Sequence, residues 1–479
     1  MEDHNSIDQD ESKPLMQKHP DDKDSHITIP KRRVIIEPVM CMYFIAMSPI
    51  FIVGEQYIYS RVAEDHGFKF DSRGEISDCA VNHSSPEYQK EKAVQEVTSR
   101  WLLILEVAIT VPSIFSTVII GAYSDKAGRK IAFIAPIIGC SLRGITYMIV
   151  VYFRLPLHWL ILSSVFEGLA GSTGSAILSC FAYACDVSTV ENRSFRITVM
   201  EISIGIGNAI AVGSTGPLIK ATGYMVPYVI ITGVHLVNLT YACFFVPETV
   251  KEQPNTNFFT LNHFKDTFKL YVKDNGTKRR WKLIILLVVF FFCEMVIAGS
   301  KGPQALKLLK SPLCFNSVLF GLYQAAQGLS MQTGTMIAVK LFQKRVSDVW
   351  FAFFGCFGGM ATNIFFGFAN TRLLIFMVVI VAFTGNMVLP MVRSMMSKLV
   401  QPLEQGSLFA SQASARALCV LTSQFMFTAT YAATLGIWNG IAFMLMAGNN
   451  LIALLVIILY MVLIKREKKK ETEKYASIN

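Results

Sequence analysis

The chain has 479 residues, of which 52% are hydrophobic and only 16% charged, whereas an average soluble domain carries about 25% charged residues. This excludes a string of soluble domains, a disordered chain and a secreted disulfide scaffold. It predicts a polytopic all-α membrane protein, in which twelve spans of ~22 residues would occupy about 264 positions.

Residues 1–33 are polar and acidic, contain proline and lack an apolar core, so they read as a disordered cytosolic tail and not as a signal peptide. Apolar stretches follow at about 34–59, 101–121, 131–153, 157–182, 197–218 and 224–246. After a polar linker, 247–282, they resume at about 283–304, 317–341, 347–369, 372–399, 407–432 and 438–464. The pattern is six spans, a linker and six spans. It predicts an N-terminal bundle over 34–246, a C-terminal bundle over 283–464 and a basic tail, 465–479.

Basic residues set the orientation. Lys31-Arg32-Arg33 precede the first span, and Lys126, Arg129 and Lys130 follow the second. The linker holds eight Lys/Arg against four acids, and the tail after Ile464 holds six against three. The long first loop, 60–100, reverses the balance with eight acids against six basic residues. Both termini and the linker are therefore expected in the cytosol, with the first loop outside or in a lumen. The net charge of +10 is then spread over inner loops, where anionic lipid attracts it, and gives no footprint for nucleic acid.

Asn82-His83-Ser84 in the outer loop is an acceptor sequon on the correct face, so Asn82 is a candidate glycosylation site. The sequons at Asn192, Asn238 and Asn275 fall in inner loops or a span. Of ten cysteines, only Cys79 and Cys314 are placed outside, where thiols oxidise; a disulfide between them would tie the two halves together. The others sit mostly in apolar runs, where a thiol behaves as a small hydrophobe. Neither a nucleotide-binding P-loop nor a metal-ligand cluster occurs, so neither a cofactor nor a metal is expected.

The loop after the second span reads Gly121-Ala122-Tyr123-Ser124-Asp125-Lys126-Ala127-Gly128-Arg129-Lys130. Its glycines permit a tight turn, and its acid and arginine can form charge-assisted bonds that hold one gate state. It resembles the G-x-x-x-D-x-x-G-R-[KR] signature of the major facilitator superfamily. Gly213-Ser214-Thr215-Gly216-Pro217, Pro247-Glu248-Thr249, and Asp186 with Arg193 and Arg196 resemble further marks of that superfamily. The resemblance implies two six-helix bundles with a gate built from Gly121, Asp125, Gly128, Arg129, Asp186 and Arg193.

Over 34–464 the chain is also similar to solute carrier family 46, the proton-coupled folate transporter family. The similarity rests on Glu37-Pro38, on Gln56-Tyr57-Ile58-Tyr59, on Phe195-Arg196 through Glu201-Ile202-Ser203-Ile204-Gly205, and on Ser311-Pro312-Leu313-Cys314. Most distinctive are the run Val392-Arg393-Ser394-Met395-Met396-Ser397-Lys398 and the following Glu404-Gln405-Gly406-Ser407. The Cys79–Cys314 pair matches a disulfide of that family. Folate-transporting members carry an acid in the segment that here reads Gly171-Ser172-Thr173-Gly174-Ser175. They also carry an arginine where this chain has Ser164 and a histidine where it has Ile297. These departures point away from folate. The first loop and the run Arg393-Ser394-Met395-Met396-Ser397-Lys398 look closer to the family's lysosomal third-member branch. That branch and its neighbour are associated with amphipathic conjugates, including steroid conjugates and peptidoglycan fragments.

Ionisable residues inside spans are costly and default to functional roles. Here they are Glu106, Arg143, Glu167, Glu201, His235, Glu294, Arg393 and Arg416. Burial disfavours the charged form of a lone carboxylate, which suits it to load and release a proton. Glu201 matches the family's proton-coupling acid, and Arg393 can bind an anion through its planar fork. Glu294 and Arg143 are further substrate-binding candidates, although helix–helix ion pairing explains them equally well. Gln324, Gln327 and Gln332 are candidate neutral donors. In the tails, Leu15 within Glu11-Ser12-Lys13-Pro14-Leu15-Met16 and Tyr475 within Tyr475-Ala476-Ser477-Ile478 resemble sorting signals that adaptors read, favouring endolysosomal membranes over the plasma membrane.

The function expected is proton-coupled movement of an organic anion or amphipathic conjugate toward the cytosol by alternating access, with the proton as coupling ion. The alternatives are folate symport and a non-transporting receptor or scaffold of the same fold.

Overall fold

The computed structural model describes residues 36–67, 86–250, 258, 260, 262–272, 278–309, 313–315, 317–434 and 437–476. The tail 1–33, with Leu15, and the loop positions Cys79 and Asn82 lie outside the described residues, as does the side chain of Tyr475.

The first half comprises α1 (Glu37–Asp65), α2 (Pro86–Ala127), α3 (Lys130–Phe153), α4 (His158–Leu169), α5 (Ser172–Asp186), α6 (Arg193–Thr222) and α7 (Met225–Phe244). A short helix, α8 (Asn262–Val272), lies in the linker. The second half comprises α9 (Arg279–Gly299), α10 (Lys301–Leu309), α11 (Ser317–Phe342), α12 (Asp348–Phe368), α13 (Arg372–Val381), α14 (Val388–Lys398), α15 (Gln405–Thr434) and α16 (Ile441–Ala476).

Among the described residues, ten helices are long and apolar enough to cross a membrane, counting α4–α5, α9–α10 and α13–α14 as single spans. Two stretches expected as spans, now α11 and α15, have the length but not the composition. The reason is visible in their sequences. Both carry glutamine, serine and threonine throughout, and α15 buries Gln405 and Gln412 beside α14 and Ser407 against Asp125 of the other half. The helices also overshoot the apolar stretches. The loop expected over 60–100 is helical to Asp65 and again from Pro86. Hydropathy marks only lipid-facing turns, whereas Glu-, Lys- and Gln-rich turns continue a helix well in water.

Two spans are broken where function concentrates. Gly171 and Ser172 both adopt positive φ, +90° and +46°, and separate α4 from α5. A turn of 3-10 helix, Ala382–Thr384, separates α13 from α14. Glycines let neighbours approach that second break: a Cβ on Gly334 would lie 1.9 Å from the Phe383 carbonyl oxygen, and one on Gly358 2.1 Å from Thr384 Oγ1. Pro390 sits in the first turn of α14, where its missing N–H leaves no bond unmade.

Each half has its own core. One cluster packs Ile50, Val53, Tyr147 and Tyr228 of the first half, and another packs Phe315, Tyr323, Phe366 and Phe443 of the second. The halves meet through α2 and α5 against α15, and through α6 against α11 and α14.

At one end of the second half, buried Lys307 of α10 closes the C-terminus of α12. Its Nζ donates to the carbonyls of Phe366 (2.7 Å) and Gly367 (2.8 Å) and stands over the Phe366 and Phe443 rings. A cation at a helix C-terminus satisfies orphan carbonyls and complements the dipole. Lys307→Met removes two charged hydrogen bonds, so it is expected to destabilise the protein by about 2 kcal/mol. Thermal unfolding of the purified protein checks this; an unchanged midpoint means the cap is dispensable.

Candidate functional site

The turn between α2 and α3 builds one end of the site. Gly128 adopts φ +121°, and a Cβ there would lie 2.6 Å from the Glu248 carboxylate. That carboxylate accepts from the backbone N–H of Arg129 (2.7 Å), Lys130 (3.0 Å), Thr249 (2.8 Å) and Val250 (3.1 Å). Glu248 therefore holds the turn's shape. Arg129, fully buried, projects inward and bonds Asp125 through Nη1 (2.7 Å) and Asp186 through Nε (2.8 Å).

The same cluster crosses to the second half. Asp125 accepts from the backbone N–H of Gly406 (2.7 Å) and Ser407 (2.8 Å) and from the Ser407 hydroxyl (2.9 Å). These are first-turn groups of α15, whose N–H donors have no partner within the helix, and a carboxylate there also meets the positive end of the dipole. Arg129 Nη2 reaches the Pro402 carbonyl at 3.2 Å. Close packing makes this possible: a Cβ on Gly121 would lie 2.5 Å from Ala410 Cβ, and one on Gly406 2.3 Å from the Gly121 carbonyl oxygen.

A second latch joins α6 to α14. Arg193 donates to the Ser397 carbonyl (2.9 Å). Lys398 Nζ bonds Asp348 (2.7 Å) and Ser194 Oγ (2.8 Å), while Ser194 also meets Ser394 and Asp348. Nearby, Arg279 pairs with Glu404 at 2.6 Å. Sequence reading did not single out Glu248, Ser194, Asp348, Lys398 or the Arg279–Glu404 pair as gate residues. The available signal was position, since each charge stands at or beside a helix end. All six expected gate residues, Gly121, Asp125, Gly128, Arg129, Asp186 and Arg193, lie on this face, and the face is closed.

Deeper between the halves, Arg393 of α14 pairs with Glu201 of α6, and Arg416 of α15 pairs with Glu294 of α9. The Arg393 guanidinium lies between two rings, 5.0 Å from the Phe181 centroid and 5.4 Å from that of Phe290. Phe181 in turn stacks on Phe409 across the halves at 5.8 Å. These groups, with Gln412 and Arg416, enclose about 10 Å³, room for about one water molecule. Of the candidate glutamines, Gln332 packs on Gly205, one turn beyond Glu201, and Gln327 is buried.

Arg143 does not line this cavity. It pairs with Glu167 at 2.8 Å inside the first half and stands over the rings of Phe51 and Tyr147. Glu167 also accepts from Ser172 Oγ (3.1 Å) at the break between α4 and α5. Glu106 accepts from Thr110. His235 is fully buried edge-on to Tyr43.

Residues 40–421 match the Major Facilitator Superfamily. The chain is 33% identical over 432 residues to the lysosomal proton-coupled steroid conjugate and bile acid symporter of Gallus gallus, covering 88% of this chain and 93% of the relative. It is 30% identical to the proton-coupled folate transporter of Rattus norvegicus, covering 86% and 89%. The chain therefore belongs to the major facilitator superfamily and, within it, to solute carrier family 46; it is a secondary transporter and not an enzyme. In fold it is similar to the human organic anion transporter MFSD10, with TM-score 0.68 at 13% identity over 90% of this chain and 100% of that one. It is similar also to the transporter FucP in its outward conformation, with TM-score 0.63 at 9% identity over 88% and 98%.

The glycine contact at the gate gives a direct test. Gly121→Val cannot pack on Ala410, so this face should remain open and uptake should fall at least tenfold. Cys185, buried beside the gate on α5, should then become reactive to a maleimide. Unaltered labelling and uptake would show that the face does not need this contact to close.

Proposed function

We propose that the protein is a proton-coupled symporter that moves an organic anion or amphipathic conjugate, such as a steroid conjugate, toward the cytosol. The observation that carries this is the Glu201–Arg393 pair, whose members come from opposite halves and meet beside an aromatic cavity that Arg393 lines. Protonation of Glu201 removes the negative partner and leaves Arg393 free to bind the substrate anion. Phe181, Phe290 and Phe409 then offer apolar faces to its body. The proton is the coupling ion, and an acidic compartment on the far side supplies the gradient.

The proposed frame is twelve spans, with α11 and α15 crossing the membrane beside the ten more apolar helices. They form bundles over 34–246 and 283–464 around a site near the midplane. Both termini and the 247–282 linker face the cytosol, so the closed Arg129 face is the cytosolic gate. The ion pairs Glu37–Arg196 and Lys282–Glu467 support this frame, because they tie the start of α1 and the end of α16 to the helix ends on that face. The proposed outer loop carries glycosylation at Asn82 and a disulfide from Cys79 to Cys314; in support, the other eight cysteines are free. Endolysosomal membranes fit the similarity to the lysosomal steroid conjugate symporters and the candidate sorting signals at Leu15 and Tyr475. In this reading Arg143 and Glu167 form a packing pair of the first half, with no direct part in substrate binding.

Folate is the second reading, favoured by the 30% identity to the folate transporter. The three departures weigh against it. Ser164 Oγ bonds the Leu160 carbonyl, Ser172 Oγ bonds Glu167, and Ile297 packs in the second-half core. None offers a charge to a folate carboxylate. The intact gate and paired central charges weigh against a receptor or scaffold.

In proteoliposomes, Glu201→Gln should retain substrate exchange and lose acid-stimulated net uptake. The sign follows from the pair: in the native protein, uptake rises as pH falls because protonation releases Arg393. Full pH dependence in the variant would remove Glu201 as the coupling acid.

Arg393→Lys should weaken uptake strongly, because an ammonium cannot reproduce the planar fork. Arg393→Ala should abolish uptake while folded abundance holds. Substrate-induced thermal stabilisation, measured alongside abundance, separates binding from folding; unchanged uptake per folded molecule in Arg393→Ala would exclude the site.

A further inference from the structure

We propose that Arg416 is a second anion-binding residue of the central cavity, released by a proton on Glu294, so that the preferred substrate carries two anionic groups and moves with two protons. This rests on the reading of Glu201 and Arg393 given above and deepens it.

The cavity is lined by both guanidiniums, together with Phe181, Phe290, Phe409 and Gln412. Each guanidinium meets one carboxylate. Glu294 is fully buried, whereas about a third of the Arg416 side chain (34%) remains exposed, so a ligand can reach the cation and not its partner. Among the described residues, no donor other than Arg416 reaches either oxygen of Glu294.

That sparseness separates Glu294 from the buried acids that hold the fold. Asp125 accepts from Arg129, two backbone N–H groups and a hydroxyl. Glu248 accepts four backbone N–H groups. Glu167 accepts from Arg143, Ser172 and Cys140. Several donors favour the charged form and fix it, whereas a carboxylate with one partner can change protonation by losing one contact.

The titratable groups around Glu294 are few. From α15 come Arg416 and Cys419, whose Sγ lies 3.5 Å from the Phe291 carbonyl. From α14 comes Arg393, stacked on Phe290 one turn from Glu294, with Glu201 of α6 beyond it. Cys293 of α9 itself faces Cys356 of α12 at 3.8 Å. Along α16, residues 441–461 offer only Tyr460, which packs on Trp281 toward the other end of α9. The ends of α9 also meet α10, which carries Lys301 and Lys307, and α8, which carries His263, Lys265, Asp266, Lys269 and Tyr271. Among the described residues, Arg416 is thus the one cation paired with Glu294.

With both carboxylates ionised, the two pairs are neutral. Each proton taken up frees one guanidinium, and each freed guanidinium accepts one anionic group. A dianion entering with two protons carries no net charge across the membrane.

The test uses the full chain in proteoliposomes with two probes on one frame, estradiol 3-sulfate and estradiol 3,17-disulfate. The native protein should prefer the disulfate, take up two protons with each, and do so indifferently to an imposed potassium–valinomycin potential. Glu294→Gln keeps the shape and frees Arg416 permanently. It should carry the disulfate with one proton, so that an interior-positive potential accelerates uptake. Removing both charges in Glu294→Gln/Arg416→Gln avoids leaving a lone buried charge. It should weaken the disulfate by roughly tenfold or more, as for loss of a charged hydrogen-bond pair, while monosulfate uptake keeps its one-proton coupling. One proton per disulfate in the native protein overturns the inference, as does an undiminished disulfate preference in the double variant. Uptake of neither probe by the native protein overturns the substrate reading itself and this inference with it. Uptake of the monosulfate alone, one proton each, overturns only the second site.

Discussion

A guanidinium buried in a membrane protein must have a partner, and that requirement organises this structure. Arg129 lies between Asp125 and Asp186, Arg143 meets Glu167, Arg196 meets Glu37, Arg279 meets Glu404, Arg393 meets Glu201 and Arg416 meets Glu294. Arg193 donates to a backbone carbonyl instead. Breaking a buried pair by removing one partner costs about 3–5 kcal/mol. A change of conformation can therefore separate such a pair only if a proton, a ligand or water takes the vacated place.

The pairs fall into two kinds by how many donors their carboxylates accept. At the gate, Asp125 uses the open N–H groups of α15 as well as Arg129, so closing the face completes one helix's capping with the other half's side chain. Opening it returns those donors to water, where they are also satisfied. The gate can thus be closed in one state and tolerable in the other. Within the first half, Glu167 is enclosed by three donors and moves with its bundle as a rigid part. Among the described residues Glu201 and Glu294 each pair with one arginine, so in the proposed mechanism a single proton changes what each arginine can bind.

Much of this was legible in the sequence. Apolar stretches located the long helices, and the Gly121–Lys130 signature located the buried charge cluster that joins the halves, because a turn that must admit a carboxylate against Gly128 and a helix against Gly121 leaves little freedom in residue type. Intramembrane charges named the central residues, since hydrocarbon makes any unneeded charge expensive. Partner choice was not legible. Nothing in the spacing of Arg143 distinguishes it from Arg393, and only packing shows that one meets Glu167 inside a bundle while the other meets Glu201 across two. The Asp348–Lys398–Ser194 cluster was equally hidden, because its members are separated by 50 residues or more and Ser194 joins the Asp348–Lys398 pair from the other half. Helix ends were misplaced for a different reason: polar turns of α1 and α2 extend beyond the lipid-facing part that hydropathy detects.

The placement of the two central pairs gives them different mechanical consequences. Glu201 and Arg393 belong to opposite halves, so their bond helps hold the halves together, and protonation of Glu201 weakens that bond. In the proposed symport, proton binding is thereby linked to the rocking motion itself. Glu294 and Arg416 both belong to the second half, on α9 and α15, so protonation there changes the site's affinity for an anion without loosening the halves. A substrate anion bound to Arg393 alone would leave the halves less tightly joined than before. A second anionic group on Arg416 anchors the ligand to the half that carries both arginines. The first half can then move past a ligand held in place, which is what a site fixed near the midplane requires of alternating access.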